Sequence, residues 1–139
     1  MQEDRSGYRR LEVYQVAMAL VSDVQGIIAT LPDTERFALA SQMARACRSV
    51  PANIAEGYAK RRSAKEFRAY LTTAMASANE IEVHLTMAGN LGYLDEHTCA
   101  ELVGKYNVLG RRLNRLIASW RDGPPQINAE KNQQQATSN

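Results

Sequence analysis

The chain has 139 residues, with 17 Lys+Arg against 15 Asp+Glu, a formal charge of +2 and 45% hydrophobic residues. That length fits one domain, and the near balance of charge excludes both a highly charged disordered chain and a histone-like polycation. Eight glycines and four prolines exclude a collagen-like or proline-rich scaffold. The composition suits a small helical module better than a self-sufficient enzyme.

In chain order, residues 1–8 are expected to form a flexible leader, residues 9–121 a four-helix bundle and residues 122–139 a disordered polar tail rich in Gln and Asn. The first helix is predicted over Arg9–Thr30, because Leu11, Tyr14, Met18, Val21, Val24 and Ile28 recur at steps of three or four. Leu31-Pro32-Asp33 ends it. The second is predicted from Glu35, carrying Leu39, Met43, Ala46, Cys47 and Val50, with a kink or break at Pro51. Ser63-Ala64-Lys65-Glu66 reads as a capping box that starts the third helix. Behind it Phe67, Leu71, Ala74, Ala78, Ile81, Leu85 and Ala88 form a heptad seam whose small central residues allow a close helix approach. Asn90 or Gly92 closes that helix. Asp95 is the predicted N-cap of the fourth, which carries Cys99, Leu102, Tyr106, Leu109, Leu113, Leu116 and Trp120 at alternating steps of three and four. Four amphipathic helices with mostly short links predict an all-α, antiparallel up-and-down four-helix bundle.

Little reactive chemistry is encoded. Cys47 and Cys99 read as two buried free thiols. Glu80 and His84 share a helix face but lack the Glu-x-x-His spacing and second copy of a di-iron bundle, so His84 is expected as a boundary residue with a satisfied ring. Ser41, Ser49, Ser63 and Cys47 have no base assigned to them by any motif. No catalytic residue, cofactor or metal is predicted. The polar N-terminus MQEDRSGYRR is unlike a signal peptide, and no apolar run approaches a membrane span, so a cytoplasmic location without membrane contact is expected.

The net charge hides an asymmetry. Residues 45–68 sum to +5, residues 69–110 to −4, residues 111–139 to +3 and residues 1–44 to −2. One reading is a solvated face with salt bridges between opposite zones. A second is a patch for RNA or DNA phosphate built from Arg45, Arg48, Lys60, Arg61, Arg62, Lys65 and Arg68. A third is a partner with an acidic surface, another protein or a second copy of the chain. Neither a recognition-helix motif nor a single-strand-binding motif accompanies the bases.

One stretch is more specific. Tyr8-Arg9-Arg10-Leu11-Glu12-Val13-Tyr14 opens the domain. Gln42-x-x-Arg45-x-x-x-Ser49-x-Pro51-x-Asn53-Ile54-Ala55-Glu56-Gly57 follows, then Lys65-Glu66-Phe67 and the Leu91-Gly92-Tyr93-Leu94 turn. These residues resemble the bacterial four helix bundle protein family, also called the 23S rRNA intervening sequence protein or S23-like family. The resemblance implies an up-and-down bundle, assembly into homopentamers, no catalytic residues and an unsettled molecular role, the family name recording a gene location. It is similar in fold to an accessory protein of diversity-generating retroelements, a more basic pentamer that binds nucleic acid. Within the motif, Pro51 frees a carbonyl and Asn53 is placed to bond locally. Gln42, Arg45, Asn53 and Glu56 are expected to form a buried or intersubunit polar network, and Gly57 a tight turn or a close helix approach.

Overall fold

The computed structural model describes residues 7–122. The described chain folds as four helices: α1 (Glu12–Ile28), α2 (Leu39–Ala59), α3 (Ala64–Asn90) and α4 (Glu96–Ser119). Short 3-10 turns at Gly7–Arg10 and Asp33–Glu35 precede α1 and α2. Successive helices are joined by short links and pack as neighbours, α1 on α2, α2 on α3 and α3 on α4, as an up-and-down bundle requires. One end of the bundle therefore gathers the start of α1, the α2–α3 link and the end of α4. The other gathers the α1–α2 and α3–α4 links.

The core follows the predicted seams. Phe67, Leu71, Ala74, Ala78, Ile81, Leu85 and Ala88 of α3 are all fully buried, against Met43, Cys47, Val50 and Ile54 of α2 and Tyr106, Leu109 and Leu113 of α4. Alanines in the α3 seam let the neighbouring helices sit close. Gly57 does the same from α2: a Cβ there would lie 2.6 Å from Tyr70 Cβ and 3.0 Å from Phe67 Cδ1. Its role is thus close approach, not a turn.

Helix ends explain where the structure departs from expectation. α1 starts at Glu12, not Arg9, because Leu11 is extended (φ −70°, ψ 125°) and buried as the N-cap residue. Tyr8 is no part of a free leader; its ring meets Tyr14 edge-on at 4.8 Å. α2 starts four residues later than predicted, after the turn that follows Glu35. It also runs unbroken through buried Pro51. A proline inside a helix costs about 3 kcal/mol through its lost N–H and ring clash. Here buried Val50 and Ile54 hold both halves on the core, and the Asn53 side chain donates to the Ser49 carbonyl at 2.8 Å across the proline.

The capping box of α3 is half made. The Glu66 N–H donates to Ser63 Oγ at 3.2 Å, but the Ser63 N–H donates to the Lys60 carbonyl at 3.1 Å instead of to Glu66. α3 ends on Gly92 at φ +79°, with bonds from Tyr93 N–H to the Ala88 carbonyl and from Gly92 N–H to the Gly89 carbonyl, a Schellman closure. Asp95 caps α4 by accepting from the Thr98 N–H and hydroxyl, each at 2.8 Å. The Tyr93 hydroxyl donates to Glu35 Oε2 at 3.0 Å and ties the two links at this end together.

Two polar expectations need correction. Cys99 is only half-buried, its thiol donating to the Leu85 carbonyl at 3.3 Å, whereas Cys47 is buried; both are free. The His84 ring is not fully satisfied: Nε2 lies 3.3 Å from Glu80 Oε2, while Nδ1 is buried and unpartnered. Of the predicted tail only Asp122 is described, and it is held in place by the Ala64 N–H; the rest of the tail and most of the predicted leader lie outside the described residues.

Candidate functional site

The polar residues of the α2 motif share one stripe of the helix, since positions 42, 45, 49, 53, 56 and 60 follow at steps of three or four. The stripe has two roles. Asn53 Nδ2 donates to Ser49 Oγ at 3.0 Å as well as to its carbonyl, and Ser49 Oγ meets Ser77 Oγ of α3 at 2.8 Å. That is an interhelical clasp, and Ser49 is engaged in it. Gln42, Arg45, Arg48 and Glu56 are exposed, so they form no buried network within the chain. Pro51 and Gly57 are buried. Ser77 escaped the sequence reading; its only signal is a heptad offset from Tyr70 and His84, which places all three on one stripe of α3.

The chain's folding sorts its charge by end. Dividing each helix at its middle, the half holding the α2–α3 link carries eleven bases and four acids among residues 7–122, and the opposite half four bases and eight acids. The 27 residues of α3 put about 40 Å between the two ends. Charges at the two tips of one chain are therefore too far apart to pair, although Arg45 and Arg48 lie within the acidic half. The described ion pairs formed at the acidic end are local: Glu80 with His84, Glu101 with His97 at 3.7 Å, and Lys105 with Glu101 at 3.4 Å and Asp23 at 3.9 Å.

At the basic end Lys60, Arg61, Arg62, Lys65 and Arg68 come together, joined by Arg9 and Arg10 ahead of α1 and by Arg115 and Arg121 at the end of α4. The last four were not part of the predicted patch; only the topology brings them there. Arg45 and Arg48 stand apart, since twelve residues separate Arg48 from Lys60, about 18 Å along α2. Among the described residues none of Lys60, Arg61, Arg62, Lys65 and Arg68 forms an ion pair with a carboxylate. Lys60 Nζ instead donates to the Tyr70 hydroxyl at 2.8 Å, which holds its pKa above the usual lysine value and keeps it charged. Arg61 lies 4.1 Å over the Tyr58 ring and donates to the Tyr58 carbonyl at 3.1 Å. Arg68 Nη1 reaches the Trp120 carbonyl at 3.4 Å. Beneath these bases Tyr58, Phe67 and Trp120 make a buried aromatic floor, with the Phe67 and Trp120 rings edge-on at 4.6 Å. Asp122 locks α4 to α3 by accepting from the Ala64 N–H at 2.6 Å.

A third surface is an open groove of about 900 Å³ between α1 and α4. Val16, Ala19 and Leu20 line it from α1, and Ala100, Val103 and Val108 from α4. Asp23, Glu101, Lys105, Arg111 and Arg112 form its charged rim. The groove exists because α1 packs chiefly on α2 and touches α4 little. Met18, Val83 and Met87 add exposed apolar surface. Among the described residues, no group of three or more His, Cys, Asp or Glu side chains is arranged to hold a metal ion, and no helix is long and apolar enough to cross a membrane.

The sequence model of the 23S rRNA-intervening sequence protein family matches residues 9–115, which contain the α2 motif and all but the last turn of α4. The chain belongs to the 23S rRNA-intervening sequence protein family. A crystal structure from Bacteroides thetaiotaomicron, of a protein with unknown function from the S23 ribosomal protein family, is similar to it with a TM-score of 0.69 at 21% identity. That similarity covers 76% of this chain and 97% of the other and shows a shared fold. None of the curated proteins matches the chain. This member of the family thus has the four-helix bundle, with residues 42–57 on α2.

Proposed function

We propose that this member of the 23S rRNA-intervening sequence protein family is a non-enzymatic, self-assembling helical bundle of the cytoplasm, acting as a structural or binding module. The homopentamer implied by the family resemblance is its proposed state. The observation that carries the reading is the apolar groove between α1 and α4. Contiguous apolar surface rimmed by charge is the signature of an association site, because covering it removes hydrocarbon from water. A ring of five needs a head-to-tail contact, so the groove of one copy would take a different face of the next, for which the exposed Val83 and Met87 of α3 offer apolar side chains. The candidate nucleophiles support a structural reading. Ser49 is clasped to Ser77, Ser63 caps α3, and the Cys47 thiol donates to the Ala44 carbonyl at 3.4 Å and is pushed up in pKa by burial. Val103→Glu in the groove tests the proposal. Wild type should elute as an oligomer on size-exclusion chromatography with light scattering and the variant as a folded monomer; an unchanged mass would remove the groove from the interface.

A second reading is favoured by Lys60, Arg61, Arg62, Lys65 and Arg68 at the α2–α3 end, which form no ion pair with a carboxylate among the described residues: an RNA- or DNA-binding accessory protein. It predicts salt-dependent retention of labelled rRNA fragments, weakened by charge reversal at Arg61 and Arg62. Absence of retention at low salt contradicts it.

A further inference from the structure

We infer that the basic end takes the phosphate backbone of double-stranded nucleic acid and does not stack unpaired bases, an inference that rests on the second reading above. Single strands are held by a charged groove together with open aromatic faces on which bases stack, each worth about 1–3 kcal/mol. This end has aromatic rings but leaves none of them fully exposed, Tyr8, Tyr14 and Tyr70 being half-buried. Tyr58 is buried and covered by Arg61, and Phe67 and Trp120 are fully buried. The Lys60 ammonium sits 5.0 Å from the centre of the Tyr70 ring and Arg9 5.0 Å from that of Tyr8. The most exposed large hydrophobic side chain described, Phe37, lies at the opposite, acidic end.

What the end does present is charge in a fixed frame. Arg62 and Lys65 are exposed, Arg61 and Arg68 are anchored by bonds to main-chain carbonyls, and exposed Arg115 lies toward the same end of α4. Two helices abreast make a face about 20 Å wide. A duplex carries one charge per about 1.7 Å of axis, so that face meets about a dozen phosphate charges. A preset cluster gains most from the partner with the densest and most rigid array of phosphates. It reads no base edge, so binding is independent of sequence.

Fluorescence anisotropy on the full chain tests this with RNA and DNA duplexes of about 20 base pairs and their separated strands. Duplexes should bind at least about tenfold tighter than either strand, since the stacking that favours single strands is missing. Raising salt from about 50 to 200 mM should weaken duplex binding about 150-fold if four phosphates are neutralised. Arg62→Glu with Lys65→Glu should abolish most of the binding while circular dichroism stays unchanged. Arg45→Glu with Arg48→Glu should leave it within about threefold, because these bases lie about 18 Å down α2. Single strands binding as tightly as duplexes would overturn the inference and leave the nucleic-acid reading standing. So would an equal loss in the Arg45 and Arg48 variant. No binding of any probe at low salt would overturn both.

Discussion

At the scale of single residues, Gly57 has the least freedom to change. Its missing side chain is the space in which Tyr70 and Phe67 sit. Gly57→Ala should therefore push α2 from α3 and destabilise the fold by about 1–3 kcal/mol, an overpacking cost readable by urea titration. The motif's Gly57 was legible as a special position, but whether it served a turn or a contact depended on α3, which sequence spacing does not place. Asp95 makes a prediction of another kind. Bonds from the Thr98 N–H and hydroxyl hold its carboxyl below the usual 3.8. A depressed folded pKa contributes stability that is present above the unfolded value and lost as pH falls through the folded one. Asp95→Ala should thus melt at a lower temperature than wild type at neutral pH, with the gap closing as pH falls through the depressed pKa of the folded carboxyl. A gap that stayed constant across this range would show that ionisation of Asp95 is irrelevant to its cap.

At the scale of elements, the helices are unequally held. α2 and α3 each pack on two neighbours, whereas α1 rests mainly on α2 and leaves its α4 side open. In a dissociated groove variant, amide exchange should be fastest in α1 and slowest in α3, because local opening follows the buried contacts that must be broken. The heptad seams of α3 and α4 were legible because their apolar positions repeat without interruption. The ends were less so. Leu11 belongs to the apolar stripe of α1 but takes an extended conformation, and no periodicity records that. Pro51 reads as a break because its cost is local, while the buried Val50 and Ile54 that offset it act through tertiary packing. Ser77→Ala should remove the α2–α3 clasp at a cost of about 1 kcal/mol.

At the scale of the molecule, a net charge of +2 resolves into a bundle with one basic and one acidic end. Half of this was legible: the +5 and −4 segments are read directly from the sequence. That the arginines before α1 and at the end of α4 join the first of them, and that Arg45 and Arg48 do not, follows only from antiparallel topology. The groove between α1 and α4 was not legible at all, because it is an unmade contact between two helices whose sequences both look fit to make it. Copies joined along that groove would add their charged ends together and raise the avidity of any polyanion they meet. Self-assembly is the claim on which this account turns. Sedimentation velocity of the full chain at micromolar concentration measures it most directly: the account predicts a species near five times 15.5 kDa, and a monomer of 15.5 kDa would contradict it.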